Sequence, residues 1–278
     1  MSVRIIVDST SDLTPAAKER VIVIPLTVHF GSEEYMDGIT IDHKTFYEKL
    51  VNDKALPSTS QATPAAFEDQ FRRIQDTGDS AVVITLSAKL SGTYQSAVIA
   101  AENYESIHVM ESGSVAIGSG ILVEWALQLA DEGMDAAAIV NRLEEEKHKL
   151  RVVAVVDTLE YLKRGGRVSK TVASAGNLLN IKPILGIIDG EIQMLSKARG
   201  AKQVFSLLNS EIEKAGGVDF SRPVMLGYTG LSEDQLLAYR QSSQDFWDQA
   251  SSISSTIIGS VIGTHAGPGA VAVAFFAK

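Results

Sequence analysis

A chain of 278 residues with 45% apolar side chains is long enough to bury a substantial core, as one large domain or two ordinary ones. Twenty-five basic against 34 acidic side chains leave a net charge of −9, which repels a phosphate backbone and excludes nucleic acid as the expected partner. The absence of cysteine excludes disulfides, a thiolate nucleophile and cysteine metal sites, and suits a reducing compartment.

In chain order, Met1 to Val7 lacks the regions of a secretory signal and reads as a strand. Val3 to Val7, Val21 to Pro25, Ala81 to Leu86 and Ile107 to Met110 are β-branched runs separated by helical patterns, the rhythm of a parallel sheet with crossover helices. Thr14-Pro15 and Thr63-Pro64 are N-cap and first-turn signals, after which Phe67, Phe71 and Ile74 recur at helical spacing. Tyr94, Ala97, Val98 and Ala101 do the same. Ile139, Val140 and Leu143 mark a further helix, with Glu144 to Lys147 on its wet face.

From about residue 151 the texture changes. Arg151 to Val156 reads as a strand, and Ile184 to Ile188 is joined to Glu191 to Leu195 by Asp189-Gly190, a strong hairpin signal. Helical patterns at 201–214 and 233–249 flank the strand Val224 to Tyr228, and the apolar runs Ser254 to Ile262 and Ala270 to Phe276 close the chain. Trp125 and Trp247 fall in helical patterns and are expected in the core. Ala270 to Ala277 is too short to cross a bilayer and Glu124 interrupts the other apolar candidate, so a cytoplasmic protein without stable membrane insertion is expected. The expected fold is α/β in two domains. Residues 1–160 form an N-terminal parallel-sheet α/β domain, and 161–278 a C-terminal α+β domain with a mixed or antiparallel sheet.

In open α/β sheets ligands bind beyond the carboxyl ends of the strands. Hydroxyl-rich segments occupy such positions at Asp8-Ser9-Thr10-Ser11-Asp12, Ser58-Thr59-Ser60-Gln61, Ser91-Gly92-Thr93 and Ser112-Gly113-Ser114. Each alone is also an ordinary helix cap; together they describe a cup of neutral donors. Gly263-Thr264-His265-Ala266-Gly267-Pro268-Gly269 reads as a glycine-rich loop presenting one imidazole to a ligand, with a tight β-turn as the alternative. Such groups suit a carboxylate or phosphate oxygen better than a metal, and the five histidines show no zinc spacing. Neither a P-loop nor a dinucleotide fingerprint is present. Leu162-Lys163-Arg164-Gly165-Gly166-Arg167-Val168-Ser169-Lys170 sets four cations around two glycines in an acidic chain. This is either a dock for an acidic partner or a helix C-terminus capped by Gly165. Lys197-Ala198-Arg199-Gly200 has the same two readings.

Ser58 to Gln61, Leu90 to Ala97, Leu162 to Ser169 and Gly263 to Gly269, in this order behind Ile5, Val7, Asp8 and Ser9, resemble the DegV family over essentially the full length. The resemblance implies two α/β domains with a long acyl chain buried between and beneath them. It implies a non-catalytic, fatty-acid-binding subunit of a bacterial fatty acid kinase, whose separate ATP-binding subunit converts the presented carboxylate to an acyl phosphate for phospholipid synthesis. On this resemblance Thr59 and Ser91, with their neighbours Ser60 and Gly92, hold the carboxylate beside His265. Arg199 lies near the head group, and Arg167 with Arg164 contacts the kinase subunit. No catalytic residue, metal or cofactor is implied beyond the bound long-chain fatty acid. Ala62 stands where the family commonly has proline, and Glu111 and Ala116 where it has aspartate and serine. Two other readings compete. One is a serine hydrolase using Ser91 as nucleophile, His265 as base and Asp8 or Asp12 as orienting acid, although the Gly-x-Ser-x-Gly elbow is absent. The other is a carrier of another small carboxylate or phosphate.

Overall fold

The computed structural model describes residues 2–53, 56–168, 181–248, 250 and 253–278, so Ser169 and Lys170 of the basic motif and residue 249 of the last helical pattern lie outside the described residues. The opening strands β1 (Val3–Asp8) and β2 (Val21–Ile24) pair in parallel. A small antiparallel sheet follows, formed by β3 (Thr27–Phe30), β4 (Glu33–Met36) and β5 (Ser58–Ser60) in the order β4-β3-β5. It was not legible in the hydroxyl-rich sequence of Ser58 to Ser60. With β6 (Ser80–Thr85) and β7 (Ile107–Glu111) the first sheet is completed as β2-β1-β6-β7, parallel throughout.

Side chains along β1 alternate between two cores: Ile5 and Val7 face one, Ile6 the other. On the Ile6 side pack α2 (His43–Asn52), α3 (Pro64–Thr77) and α4 (Thr93–Ala101), through Phe46, Phe67, Phe71 and Ala97. The sequence signals at α3 are realised locally. The Thr63 hydroxyl accepts the Ala66 N–H at 3.3 Å, Pro64 opens the first turn, and Gly78 ends the helix at φ 70°. The short α1 (Pro15–Lys18) is capped by Thr14 in the same way.

On the other side lie α5 (Ile117–Asp131) and α6 (Ala136–Glu146). Almost every residue from Ile117 to Leu129 is buried, because α5 is clamped between two sheets rather than laid on one. Gly120 permits this closeness, since a Cβ there would lie 2.1 Å from the Asp12 carbonyl oxygen. Glu124, the charge that interrupts the apolar run, accepts a hydrogen bond from Thr14 Oγ1 at 2.9 Å, and burial raises its carboxyl above the usual range.

The second sheet contains β8 (Leu150–Val155), β9 (Ile181–Ile188), β10 (Glu191–Arg199), β11 (Met225–Tyr228), β12 (Ser254–Ile257) and β13 (Val271–Phe276). Its order is β10-β9-β8-β13-β11-β12, antiparallel except for the parallel β11–β12 pair, so it is mixed. The expected hairpin joins β9 to β10, with Asp189 at φ 49° and Gly190 at φ 77°. α7 (Glu160–Gly165) follows β8, while α8 (Ala201–Lys214), α9 (Asp234–Ser242) and α10 (Gln244–Trp247) cover the outer face around Leu208, Tyr239 and Trp247. The change of sheet comes at Leu150, ahead of the 160/161 division read from the sequence. Trp125 and Trp247 are both buried.

The run Ser254 to Ile262 is not one strand. Pairing stops at Ile257, and Ser260–Ala266 turns into helix α11, which takes in Ile262 and His265. The β-branched propensity of Val261 and Ile262 is overridden by tertiary caps: Asp12 Oδ1 accepts the Gly259 N–H at 2.7 Å and Asp37 Oδ1 the Ser260 N–H at 3.3 Å. No helix of the described residues is long and apolar enough to cross a membrane.

Candidate functional site

Beyond the carboxyl ends of β6 and β7 lies a cavity open to solvent on one side. Leu86 and the pair Val115-Ala116 reach it from those strand ends. Its floor is a row across the second sheet, in which Leu185 of β9 pairs with Ala154 of β8, and Ala154 with Ala272 of β13. Ile258, Val261 and Ile262 close it from the α11 side. The wall is therefore apolar and drawn from six separate elements. Ala116 joins it in a strained conformation, at φ 57° without being glycine.

The polar lining is concentrated around one histidine. Thr59 Oγ1 and His265 Nε2 lie 2.9 Å apart, joining β5 to the last turn of α11. The buried Nδ1 has no hydrogen-bond partner among the described residues and faces Gly165, where a Cβ would sit 2.1 Å away. Arg167 donates from Nη1 to the Gly165 carbonyl at 2.7 Å and from Nε to the Leu90 carbonyl at 3.3 Å, which brings α7 beside the loop carrying Ser91. Ser91 Oγ lies 3.0 Å from Thr93 Oγ1 and accepts the Thr93 N–H at 3.3 Å. Gln61 donates to Ser96 Oγ at 2.9 Å and crosses Gly92 so closely that a Cβ at Gly92 would lie 2.2 Å from its side-chain oxygen. Ala62 donates its N–H to Thr93 Oγ1 at 3.3 Å, a bond that proline at this position cannot make.

Thr59, Ser60, Ser91 and His265 thus line one cavity, together with Arg167, which the resemblance had assigned to the kinase contact. Gly92 acts behind the wall, as the space for Gln61. Ser60 stands at the rim with its hydroxyl 2.8 Å from His29 Nε2. Arg164 is exposed beside the mouth and paired with Glu160 Oε1 at 2.5 Å. Arg199 is different: it ends β10 opposite Ile181, is exposed, and does not line the cavity. Two of the four hydroxyl-rich segments also miss it, since Asp8–Asp12 and Ser112–Ser114 contribute no lining residue. The C-cap of α7 is Gly166, at φ 68°, and Gly165 is reserved for contact with His265. The glycines flanking His265 do mark close approach, but to protein rings. A Cβ at Gly263 would lie 2.7 Å from Phe46, and one at Gly267 2.3 Å from Tyr161.

The apolar floor was missed by sequence reasoning. Its signal was a lone alanine, Ala154, among larger residues in β8 and the alternation of alanine with valine in β13, which a search for polar motifs passes over.

A hydrolytic triad is not assembled. His265 Nε2 is engaged by Thr59 and not by Ser91, while the Asp8 and Asp12 carboxylates accept backbone N–H groups elsewhere. Among the described residues, no group of three His, Asp or Glu side chains could hold a metal ion.

Burial, with the Arg167 charge adding to it, lowers the His265 imidazole to about 4. An unfolded histidine titrates near ~6.5, so as pH falls from there towards 4 the unfolded chain takes up a proton that the ligand-free native state refuses. Stability from this residue therefore declines over that window. Between pH 7 and 5 the wild type should lose about 2 kcal/mol relative to His265→Gln, measured by urea unfolding of both proteins at each pH. Parallel pH dependences would contradict the assignment.

A family model described as an uncharacterised protein, DegV family, matches residues 2–278. A DegV domain-containing protein from Caldanaerobacter subterraneus is 36% identical over 99% of this chain and 99% of its own length. Among solved structures, a DegV family protein from Thermus thermophilus, described as fatty acid binding, superposes with a TM-score of 0.90 at 30% identity and covers 100% of both chains. A stearic-acid-binding protein from Eubacterium ventriosum superposes with a TM-score of 0.87 at 26% identity, covering 99% of this chain and 98% of that one.

Proposed function

The chain belongs to the DegV family, and on that premise we propose that its cavity holds a long-chain fatty acid, the carboxylate at Thr59, Ser91 and His265 and the tail over the Leu185–Ala154–Ala272 row. The observation that carries this reading is the form of the cavity, an apolar trough ending in hydroxyls and one imidazole, with the Arg167 guanidinium turned to backbone carbonyls beside them. Each buried methylene contributes about 0.8 kcal/mol, so a saturated sixteen-carbon tail supplies on the order of 11 kcal/mol before ordering costs. An unpaired buried carboxylate would offset much of that. A neutral His265 can donate from Nε2 to Thr59, leaving the threonine hydroxyl proton for a ligand oxygen, with Ser91 as a second donor.

The further step is presentation to a separate ATP-dependent kinase subunit. Arg167 is committed to the carbonyls of Gly165 and Leu90, so the carboxylate is held by hydroxyls rather than in a salt bridge. One of its oxygens remains able to attack the terminal phosphorus of ATP, forming the acyl phosphate as ADP leaves. Phosphoryl transfer asks mainly for alignment and charge stabilisation, and the nucleotide and its metal come with the partner. This chain then acts as a cytoplasmic, non-catalytic carrier, with Arg164 and Arg167 beside the mouth as the surface for an acidic partner.

Mass spectrometry of a denatured preparation is expected to release one fatty acid per chain, or the delipidated protein to take up one equivalent. Absence of both the acyl species and the uptake would sink the reading.

A further inference from the structure

The segment Asp8–Asp12 sits where the sequence places a ligand-facing loop, yet its side chains point away from the cavity to three backbone N–H groups. Each of these groups belongs to a different arm of the head-group site. Ser9 Oγ accepts from the Leu26 N–H at 3.1 Å, immediately before β3, whose Val28 pairs with Thr59. Asp8 Oδ2 accepts from the Leu86 N–H at 2.7 Å, where the chain leaves β6 for Ser91. Asp12 Oδ1 accepts from the Gly259 N–H at 2.7 Å, at the start of the helix that ends on His265.

The loop itself is held fast. Asp8 Oδ1 takes both the N–H and the hydroxyl of Thr10, at 2.9 and 2.6 Å, and the Asp12 N–H reaches the Ala116 carbonyl at 3.3 Å. Asp8 is fully buried and Asp12 nearly so. Hydrogen bonds to buried carboxyl groups are strong and geometrically stiff. The three arms come from distant parts of the chain; they meet directly at the cavity, where Thr59 reaches His265 and Gln61 and Ala62 reach Ser96 and Thr93, and behind it on the Asp8–Asp12 loop.

We propose that Asp8, Ser9 and Asp12 are positioning residues, a single buried hub that sets Thr59, Ser91 and His265 at the mutual spacing a carboxylate requires. The inference rests on the fatty-acid reading of the cavity. A hub that merely stabilises the fold would affect every ligand alike. A hub that sets head-group spacing affects the acid more than a ligand with the same tail and no carboxylate.

The test compares hexadecanoic acid and cis-octadec-9-enoic acid with the corresponding alcohols, titrated into delipidated full-length protein. Whichever acid the wild type binds more tightly, together with its alcohol, is then used for Ser9→Ala, Asp12→Ala and Asp12→Asn, with circular dichroism confirming the fold. Both alanine variants should lose about fivefold or more of the acid-over-alcohol preference while alcohol affinity stays within error. Asp12→Asn should behave as wild type: its side-chain oxygen still accepts the Gly259 N–H, and burial, reinforced by Asp37, already holds the native carboxyl well above its usual range. A folded Ser9→Ala that keeps the wild-type ratio, or loses acid and alcohol equally, overturns the proposal. Should Asp12→Ala fail to fold, Ser9→Ala decides alone. A wild type that binds neither acid nor alcohol defeats the fatty-acid reading itself. One that binds both equally defeats only the hub.

Discussion

Replacing Ala272 with phenylalanine should lower the affinity for hexadecanoic acid by about a hundredfold while leaving the protein folded. Ala272 and its cross-strand partner Ala154 form the floor of the cavity, and both owe their place there to a small side chain on a buried strand. A benzyl group rising from that floor takes the space of about four methylenes, worth about 3 kcal/mol of tail burial. The same ring fills empty apolar space, so the thermal midpoint should hold or rise rather than fall. Titration of delipidated wild type and variant, with octanoic acid as a short-chain control that loses less, checks the expectation. Equal hexadecanoic acid affinity in the two proteins would mean that the tail does not cross Ala272.

Gly165→Ala is expected to have the second large effect, through the head group instead of the tail. Gly165 does not adopt the left-handed conformation, so its backbone would accept alanine; only the contact forbids it. A methyl group placed 2.1 Å from His265 Nδ1 obliges the ring to retreat by about an ångström, which breaks the 2.9 Å contact with Thr59. The acid should bind about tenfold more weakly, with the alcohol of the same tail little changed. The neighbouring Gly166 supplies the contrast. It carries the left-handed cap at φ 68°, and a Cβ there meets nothing within 4 Å. Gly166→Ala should therefore cost about 1 kcal/mol of stability and leave the acid-over-alcohol preference as it is. If both variants lost stability and neither lost preference, Gly165 would be no more than a helix residue.

One of the two sequence readings of the basic motif put a helix cap at Gly165, whereas the cap is Gly166; charged residues followed by glycine mark a helix end without saying which glycine turns left-handed. The same limit appears at His265. Three glycines correctly signalled a backbone pressed against something, but the partners are protein groups far away in the chain: the rings of Phe46, Tyr47 and Tyr161 for Gly263 and Gly267, and the Asp157 carboxylate for Gly269. Of the hydroxyl-rich segments, Ser58 to Gln61 and Ser91 reach the cavity while Asp8 to Asp12 serves the protein's own backbone. Serine, threonine and aspartate beyond a strand end look alike in either role, since a ligand oxygen and a neighbouring amide ask for the same kind of partner.

What could be read without coordinates was whatever is encoded within a few residues: the β-branched runs of the parallel sheet, the Thr-Pro caps, the Asp189-Gly190 hairpin, and motifs specific enough to reveal the family. Backbone hydrogen bonding and side-chain periodicity are local, so they leave a local trace. The conversion of Ser260–Ala266 to helix, the three arms meeting on one buried loop, and the trough above Ala154 and Ala272 were decided only when distant elements packed together. A cavity is space that no side chain fills, and no single stretch of residues carries a record of what it fails to touch.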